Sequence, residues 1–238
     1  NSLQVTIHQP DFLPWLGFFN KISNCDYWIV LDHVKNNPRD SAFWGRRVRM
    51  LINGKPEWLS IPLNRPTALG EIGIPINKMV INTNLNKQLK KLPMTIRMAY
   101  SKSPFFSDYF PFVESWFIDK DPNLMMRNMI FIKKIMKILD IKTKIIFSSD
   151  FATNSKSTQL LVDLIKNVGG DIYRCGGGAN GYQDDDLFIK NGITLKHNNF
   201  LHPVYPQIGE QKFIEGLSII DALFNVGRDQ VMGWMHSK

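Results

Sequence analysis

The opening of the chain commits it to a parallel sheet. Val5-Thr6-Ile7 is a β-branched run that reads as a buried strand. Pro10 stops it, and Pro14 sits where a first helical turn tolerates proline, just ahead of the apolar stretch Leu16 to Ile22. Tyr27 to Leu31 form a second apolar strand, so the first unit is β-α-β. His8, Gln9 and Asp11 then gather at the carboxyl end of a strand, where open α/β sheets hold their ligands.

The remainder extends this pattern and interrupts it once. Arg47 to Ile52 and Glu57 to Leu63 alternate around Asn53-Gly54-Lys55, a hairpin signal because asparagine and glycine accept positive φ. The hairpin, about residues 44–64, reads as an insertion. A helical segment follows over about 84–140, in which Pro93 is expected to break or kink the first helix. Pro122-Asn123 introduces a long helix whose Met125, Met129, Ile132, Met136 and Leu139 fall on one face, which predicts core. Ile145 to Ser148 read as a strand, Ser157 to Val168 as a helix ended by Gly169-Gly170, and Ile172 to Cys175 as another strand. Near the end, Phe213 through Gly227 read as an amphipathic helix, preceded by an extended polar loop that would suit a lid. The expected fold is one α/β domain over 1–238, with a mostly parallel, doubly wound sheet.

Composition narrows the class. In 238 residues, 44% hydrophobic, no apolar run approaches the roughly 18 residues that span a bilayer. Two cysteines, Cys25 and Cys175, give no disulfide framework, and the first residues lack the layout of a secretory signal, so a cytoplasmic setting is expected. No methionine precedes Asn1, which leaves room for a flanking domain such as a glycosyltransferase. A net charge of +8 invites a nucleic-acid reading, but much of the excess lies on helices, in Lys87, Lys90 and Lys91 and in Lys133, Lys134 and Lys137, where a solvated face explains it equally well. An anionic small molecule is the expected partner and nucleic acid is not. The five histidines and two cysteines match no zinc spacing, so no metal is expected. Neither thiol carries a feature that activates it.

In a parallel sheet the carboxyl ends of the strands lie on one side. His8-Gln9, Asp32-His33, Ser148-Ser149-Asp150 and Gly176-Gly177-Gly178 with Asn180 are therefore expected to line one crevice. The glycine run can expose consecutive amides to an anion or form a plain tight turn. It fits neither G-x-G-x-x-G nor the P-loop pattern, so a nicotinamide or P-loop reading is set aside. Trp44-Gly45-Arg46-Arg47-Val48-Arg49 supplies guanidinium forks suited to phosphate, or to acidic partners at the surface.

At these residues the chain resembles the WbqC-like family, found beside genes for surface polysaccharides and unusual amino sugars. The resemblance covers nearly the whole chain. It is carried by His8-Gln9-Pro10, Leu13-Pro14-Trp15-Gly17-Phe18-Phe19-Lys21-Ile22, Trp58-Leu59-Ser60-Ile61-Pro62, Tyr100 with Pro104-Phe105-Phe106, and Ser148-Ser149. Gly176 to Gly178 with Tyr182, Tyr205, Gln207, Leu217-Ser218-Ile219-Ile220-Asp221 and Gly227 complete it. Where family members commonly carry an Asn-Arg-Asn type sequence, this chain has Gly45-Arg46-Arg47.

The resemblance implies N-acylation, with acetyl-coenzyme A as donor, of a nucleotide-linked 4-amino-4,6-dideoxy sugar. In such a reaction a base must take a proton from the attacking amine, and His8, whose ordinary pKa of about 6.5 suits the task, is the candidate. Asp32 or Asp11 would orient its ring. The amides of Gly176, Gly177 and Gly178 would receive a phosphate or the oxyanion, and Arg46 and Arg47 a pyrophosphate. Gln9, His33, Ser149, Asn180, Tyr182, Tyr205 and Gln207 are further binding candidates. Two alternatives remain: nucleotidyl transfer, suggested by a histidine after the first strand and by Ser155-Lys156-Ser157, and a noncatalytic partner of a glycosyltransferase.

Overall fold

The computed structural model describes residues 2–65, 73–176 and 183–236. It opens with strand β1 (Gln4–His8), helix α1 (Leu16–Ser23) and strand β2 (Tyr27–Val30), the β-α-β unit expected from the sequence. The long middle follows, with β3 (Lys35–Asn36), β4 (Arg47–Ile52), β5 (Lys55–Ser60), β6 (Ile74–Pro75), α2 (Asn86–Tyr100), α3 (Phe106–Ile118) and α4 (Leu124–Ile138). The chain then returns to the sheet through β7 (Lys144–Phe147), α5 (Ser157–Asn167), β8 (Ile172–Cys175), α6 (Asp185–Lys190) and β9 (Thr194–His197), and ends in α7 (Ile219–Gly233).

Five strands form one sheet in the order β7-β2-β1-β8-β9. Every pairing in it is parallel. The chain builds outward from β1 through β2 to β7, then crosses to the other side of β1 for β8 and β9. The order therefore reverses between β1 and β8, the switch point at which doubly wound sheets open a crevice. Both faces are covered, as a parallel sheet requires. Trp28 and Val30 of β2 join the larger core with α1, α3, α4 and α7, while Val5, Ile7 and Ile29 pack against residues of α5 and α6. Met125, Met129, Ile132, Met136 and Leu139 are all buried in the larger core, as their spacing predicts.

The hairpin β4-β5 forms its own antiparallel sheet, with Ile52 opposite Lys55 across a two-residue turn. Asn53 and Gly54 occupy that turn at φ 52° and 76°, the left-handed conformation their residue types permit. Lys87, Lys90, Lys91, Lys133, Lys134 and Lys137 are exposed. Among the described residues no helix is long and apolar enough to cross a membrane.

Three local expectations are corrected. Of the two outcomes expected at Pro93, a break does not occur, and α2 runs through it. Beyond it the helix is anchored by the buried Ile96 and Tyr100, the latter donating its hydroxyl to Asp221 and accepting from the Leu51 amide. Pro14 lies one residue before the Trp15 cap rather than inside α1, and its carbonyl accepts from the Ile219 amide. The C-terminal helix begins at Ile219, not Phe213, because Gly216 at φ 75° turns the chain and Ser218 caps the start by accepting from the Ile220 amide. It continues past Gly227, whose φ of 80° and ψ of 176° interrupt it.

Candidate active site

His8 ends β1 at the switch point, and its ring projects on the α1 side of the sheet, edge-on to Phe18 at 4.9 Å. Its Nε2 lies 2.9 Å from Asp11 Oδ2, and its Nδ1 lies 2.8 Å from Lys21 Nζ. Gln9 Nε2 donates to the other Asp11 oxygen at 3.0 Å. Gly176 follows β8 on the far side of the switch point, and a Cβ placed on it would stand 3.8 Å from Lys21 Nζ. Lys21 thus bridges the two central strand ends.

The turn that holds this group is itself buried, which requires its backbone groups to be partnered. Phe12 N donates to the Trp44 carbonyl at 3.0 Å. The Asn128 amide of α4 donates to the carbonyls of Pro10 (3.1 Å) and Gly45 (2.8 Å), while its oxygen accepts from the Trp116 indole. One side chain therefore clamps the residue before Asp11 to the residue before Arg46. Leu13, fully buried, adopts a left-handed φ of 41°, a local strain that the surrounding packing over-determines.

The hydrogen bonds assign the protons. An Asp11 carboxylate only accepts, so His8 carries its hydrogen on Nε2, and the lone pair of Nδ1 accepts from Lys21. Burial holds the imidazole below its ordinary pKa, the Lys21 charge adds to this, and Asp11 opposes both. Burial also lowers Lys21, against the pull of Asp11, Cys25 and Cys175. The result is a neutral imidazole linking a carboxylate to an amine that is held below its usual range. Such a chain can pass a proton in either direction.

Of the two carboxylates expected to orient His8, Asp11 does so and Asp32 does not. Asp32 is spent on the end of β7: its Oδ1 accepts from Ser148 Oγ (3.0 Å) and the Ser149 amide (2.9 Å), and its Oδ2 accepts from Ser149 Oγ (2.6 Å). Ser148 Oγ also accepts from the Asp32 amide and lies 2.6 Å from His33 Nδ1. These four residues knit β2 to β7 beside the crevice. Among the described residues none of these hydrogen bonds reaches the His8 ring.

Tyr205 and Gln207 are placed elsewhere as well. The fully buried Asp221 of α7 accepts from Tyr205 Oη (2.7 Å), Tyr100 Oη (2.8 Å) and Gln207 Nε2 (3.0 Å), so both candidates serve an interior knot. Burial raises the Asp221 carboxyl, and these three donors resist the rise. Arg47 lies over the Trp58 ring at 4.0 Å and donates to the Ser41 carbonyl. Arg46 instead lines a cleft of about 680 Å³ with Arg39 and Arg65. Gly177, Gly178, Asn180 and Tyr182 lie outside the described residues. Ser155 donates to Asp163, and Ser157 begins α5. Burial pushes the Cys25 thiol up to about 12 and raises Cys175 too, which leaves both poor nucleophiles at neutral pH.

Sequence reasoning missed Lys21 as a site residue, although a signal exists. It is the one charge in Leu16-Gly17-Phe18-Phe19-Asn20-Lys21-Ile22, a run whose every member is buried. Asn128, Arg39 and Arg65 carried no comparable mark, because their roles depend on contacts between distant elements.

Comparison with known proteins adds three findings. A family described as the WbqC-like protein family matches residues 9–232. The uncharacterized protein Rv1507c of Mycobacterium tuberculosis is 24% identical over 228 residues, an alignment covering 95% of each chain. No solved structure matches.

Proposed function

The chain belongs to the WbqC-like protein family, and from that premise we propose that it is an N-acyltransferase, transferring acetyl from acetyl-coenzyme A to the amino group of a nucleotide-linked 4-amino-4,6-dideoxy sugar in the cytoplasm. The observation that carries the chemistry is the chain Asp11, His8, Lys21 at the switch point, joined by contacts of 2.9 and 2.8 Å. Amide formation from a thioester needs a neutral amine, a place for the proton it sheds and donors for the oxyanion.

Since His8 Nδ1 is already occupied by Lys21, the amine group of Lys21 is the atom that meets the substrate. In its neutral form Nζ takes the proton from the attacking nitrogen as the new C–N bond forms, and passes a proton to His8 Nδ1. The imidazolium so formed is stabilised by Asp11. The C–S bond breaks as the tetrahedral intermediate collapses, and the thiolate leaves to take a proton from the same chain. The position of Gly176 beside Nζ supports an approach of substrate from the β8 side. The test is release of free coenzyme A thiol that depends on the amino sugar and is lost in His8→Asn. Thiol release by His8→Asn at the wild-type rate overturns the mechanism, and pyrophosphate release from a nucleoside triphosphate in its place overturns the reaction class.

A further inference from the structure

The arginines nearest the site divide into two groups with different surroundings. Arg47 and Arg49 flank Trp58, at 4.0 and 5.7 Å from its ring centre, on the hairpin. Arg39, Arg46 and Arg65 converge instead on a cleft of about 680 Å³ between the loop after β3, the start of β4, the chain after β5 and the start of α2. Asn64, Asn82 and Gln88 complete its polar lining, and Pro38, Pro62, Leu63 and Leu85 its apolar wall. Among the described residues no carboxylate lines it, and none of the three guanidinium groups joins an ion pair.

Gathering like charges without a counter-charge is unfavourable, and here one of them is also partly withdrawn from water. Arg46 Nε is buried with no hydrogen-bond partner among the described residues, a group that ordinarily finds one. Burial lowers its pKa, and the charges of Arg47 and Arg65 lower it further. A ligand with two adjacent negative charges would offset the repulsion among these guanidinium groups. Planar guanidinium forks suit phosphate oxygens, the amides add neutral donors, and the proline and leucine wall suits the face of a nucleoside. The volume lies within the range of small-molecule sites.

We propose that this cleft binds the pyrophosphate bridge of a nucleotide through Arg39, Arg46 and Arg65. The Asn128 clamp ties the cleft to the turn that carries Asp11, because Arg46 and Asp11 each follow a carbonyl held by that one amide. Two substrates of the proposed reaction contain such a bridge, the sugar nucleotide and coenzyme A. The proposal rests on the reading above only in taking the ligand to be a nucleotide.

The test is calorimetric titration of the full chain with UDP, dTDP and adenosine 3′-phosphate 5′-diphosphate. Arg46→Ala and Arg65→Ala are each expected to weaken binding about tenfold or more, with unchanged melting temperature, while Lys137→Ala binds as wild type. Preference for UDP or dTDP assigns the cleft to the sugar nucleotide, and preference for the adenosine compound assigns it to coenzyme A. If Arg46→Ala does not fold, Arg46→Lys, which keeps the charge and loses the fork, is expected to fold and still bind more weakly. Wild-type affinity in both arginine variants, or no binding of any of the three at millimolar concentration, overturns the proposal. Acetyl transfer with binding indifferent to the arginines removes the cleft alone, and arginine-dependent binding without transfer removes the transfer alone.

Discussion

Replacing Lys21 by methionine separates a lysine kept for chemistry from one kept for stability. The residue is 8% exposed, and among the described residues its ammonium makes one hydrogen bond, to His8 Nδ1. Exchanging a buried, sparsely paired cation for a hydrophobe of similar length gains about 1–4 kcal/mol. Against this, His8 Nδ1 loses its donor, at about 1–3 kcal/mol, toward the lower end here because the ring's side chain is 28% exposed and water can reach it. The variant is therefore expected to lie between about 1 kcal/mol less and 3 kcal/mol more stable than wild type, where each kcal/mol shifts Tm by about 2–4 °C. Its kcat is expected to fall about 10²–10⁴-fold, the range for a lost proton-transfer group. The sign has a pH signature. Because Lys21 sits below its ordinary value of 10.5 in the folded chain, the unfolded chain binds more protons between the two values, and wild-type stability rises with pH across that window. The advantage of Lys21→Met is thus full below the window and shrinks as pH approaches 10.5. Thermal denaturation over a pH series and steady-state kinetics read both effects. An unchanged kcat, or a loss of more than about 3 kcal/mol as for a broken structural ion pair, refutes the reasoning.

Other consequences follow from the same contacts. His8→Asn is expected to fold normally and lose about a hundredfold or more in turnover; a fully active, soluble variant contradicts its role. The His8 imidazole, followed by NMR, is expected to titrate below 6.5, since burial and Lys21 hold it down, and Asp11→Asn, which removes the opposing influence, moves it lower still. An imidazole titrating above 6.5 in wild type would contradict the surroundings assigned to His8. Tyr205→Phe is expected to destabilise the fold by about 1.5–3 kcal/mol and leave the sugar KM unchanged; the reverse pattern would return Tyr205 to the ligand.

The architecture was legible because it rests on local signals. Val5 to Ile7, Tyr27 to Leu31, Ile145 to Ser148 and Ile172 to Cys175 announce strands by branching and apolar runs, and alternation with helices implies a parallel sheet. His8 and Asp11 were legible for the same reason, three residues apart in one turn. Asp32 was misassigned because a common strand-end position does not fix which neighbour a carboxylate meets. Asp32 follows β2, which has β1 on one side and β7 on the other, and its carboxylate turns to the serines that follow β7 rather than to His8. Tyr205 and Gln207 look like ligand contacts in a polar loop, yet a buried Asp221 some 14–16 residues later claims both. Such long-range pairings leave no periodic trace. The start of α7 was hidden by the apolar residues Phe213 and Ile214, which pack on the core from a non-helical segment.

The central claim is acetyl transfer to an amine of a nucleotide-linked sugar through the Asp11, His8, Lys21 chain. Its most direct test is mass spectrometry of reactions containing the protein, acetyl-coenzyme A and a panel of nucleotide-linked amino sugars, run in parallel with Lys21→Met and His8→Asn. The account predicts one sugar nucleotide gaining a single acetyl increment on its amino nitrogen with wild type, and product reduced about a hundredfold or more with either variant. Wild-type product yields from both variants, or no acetylated nucleotide from wild type across the panel, would contradict it.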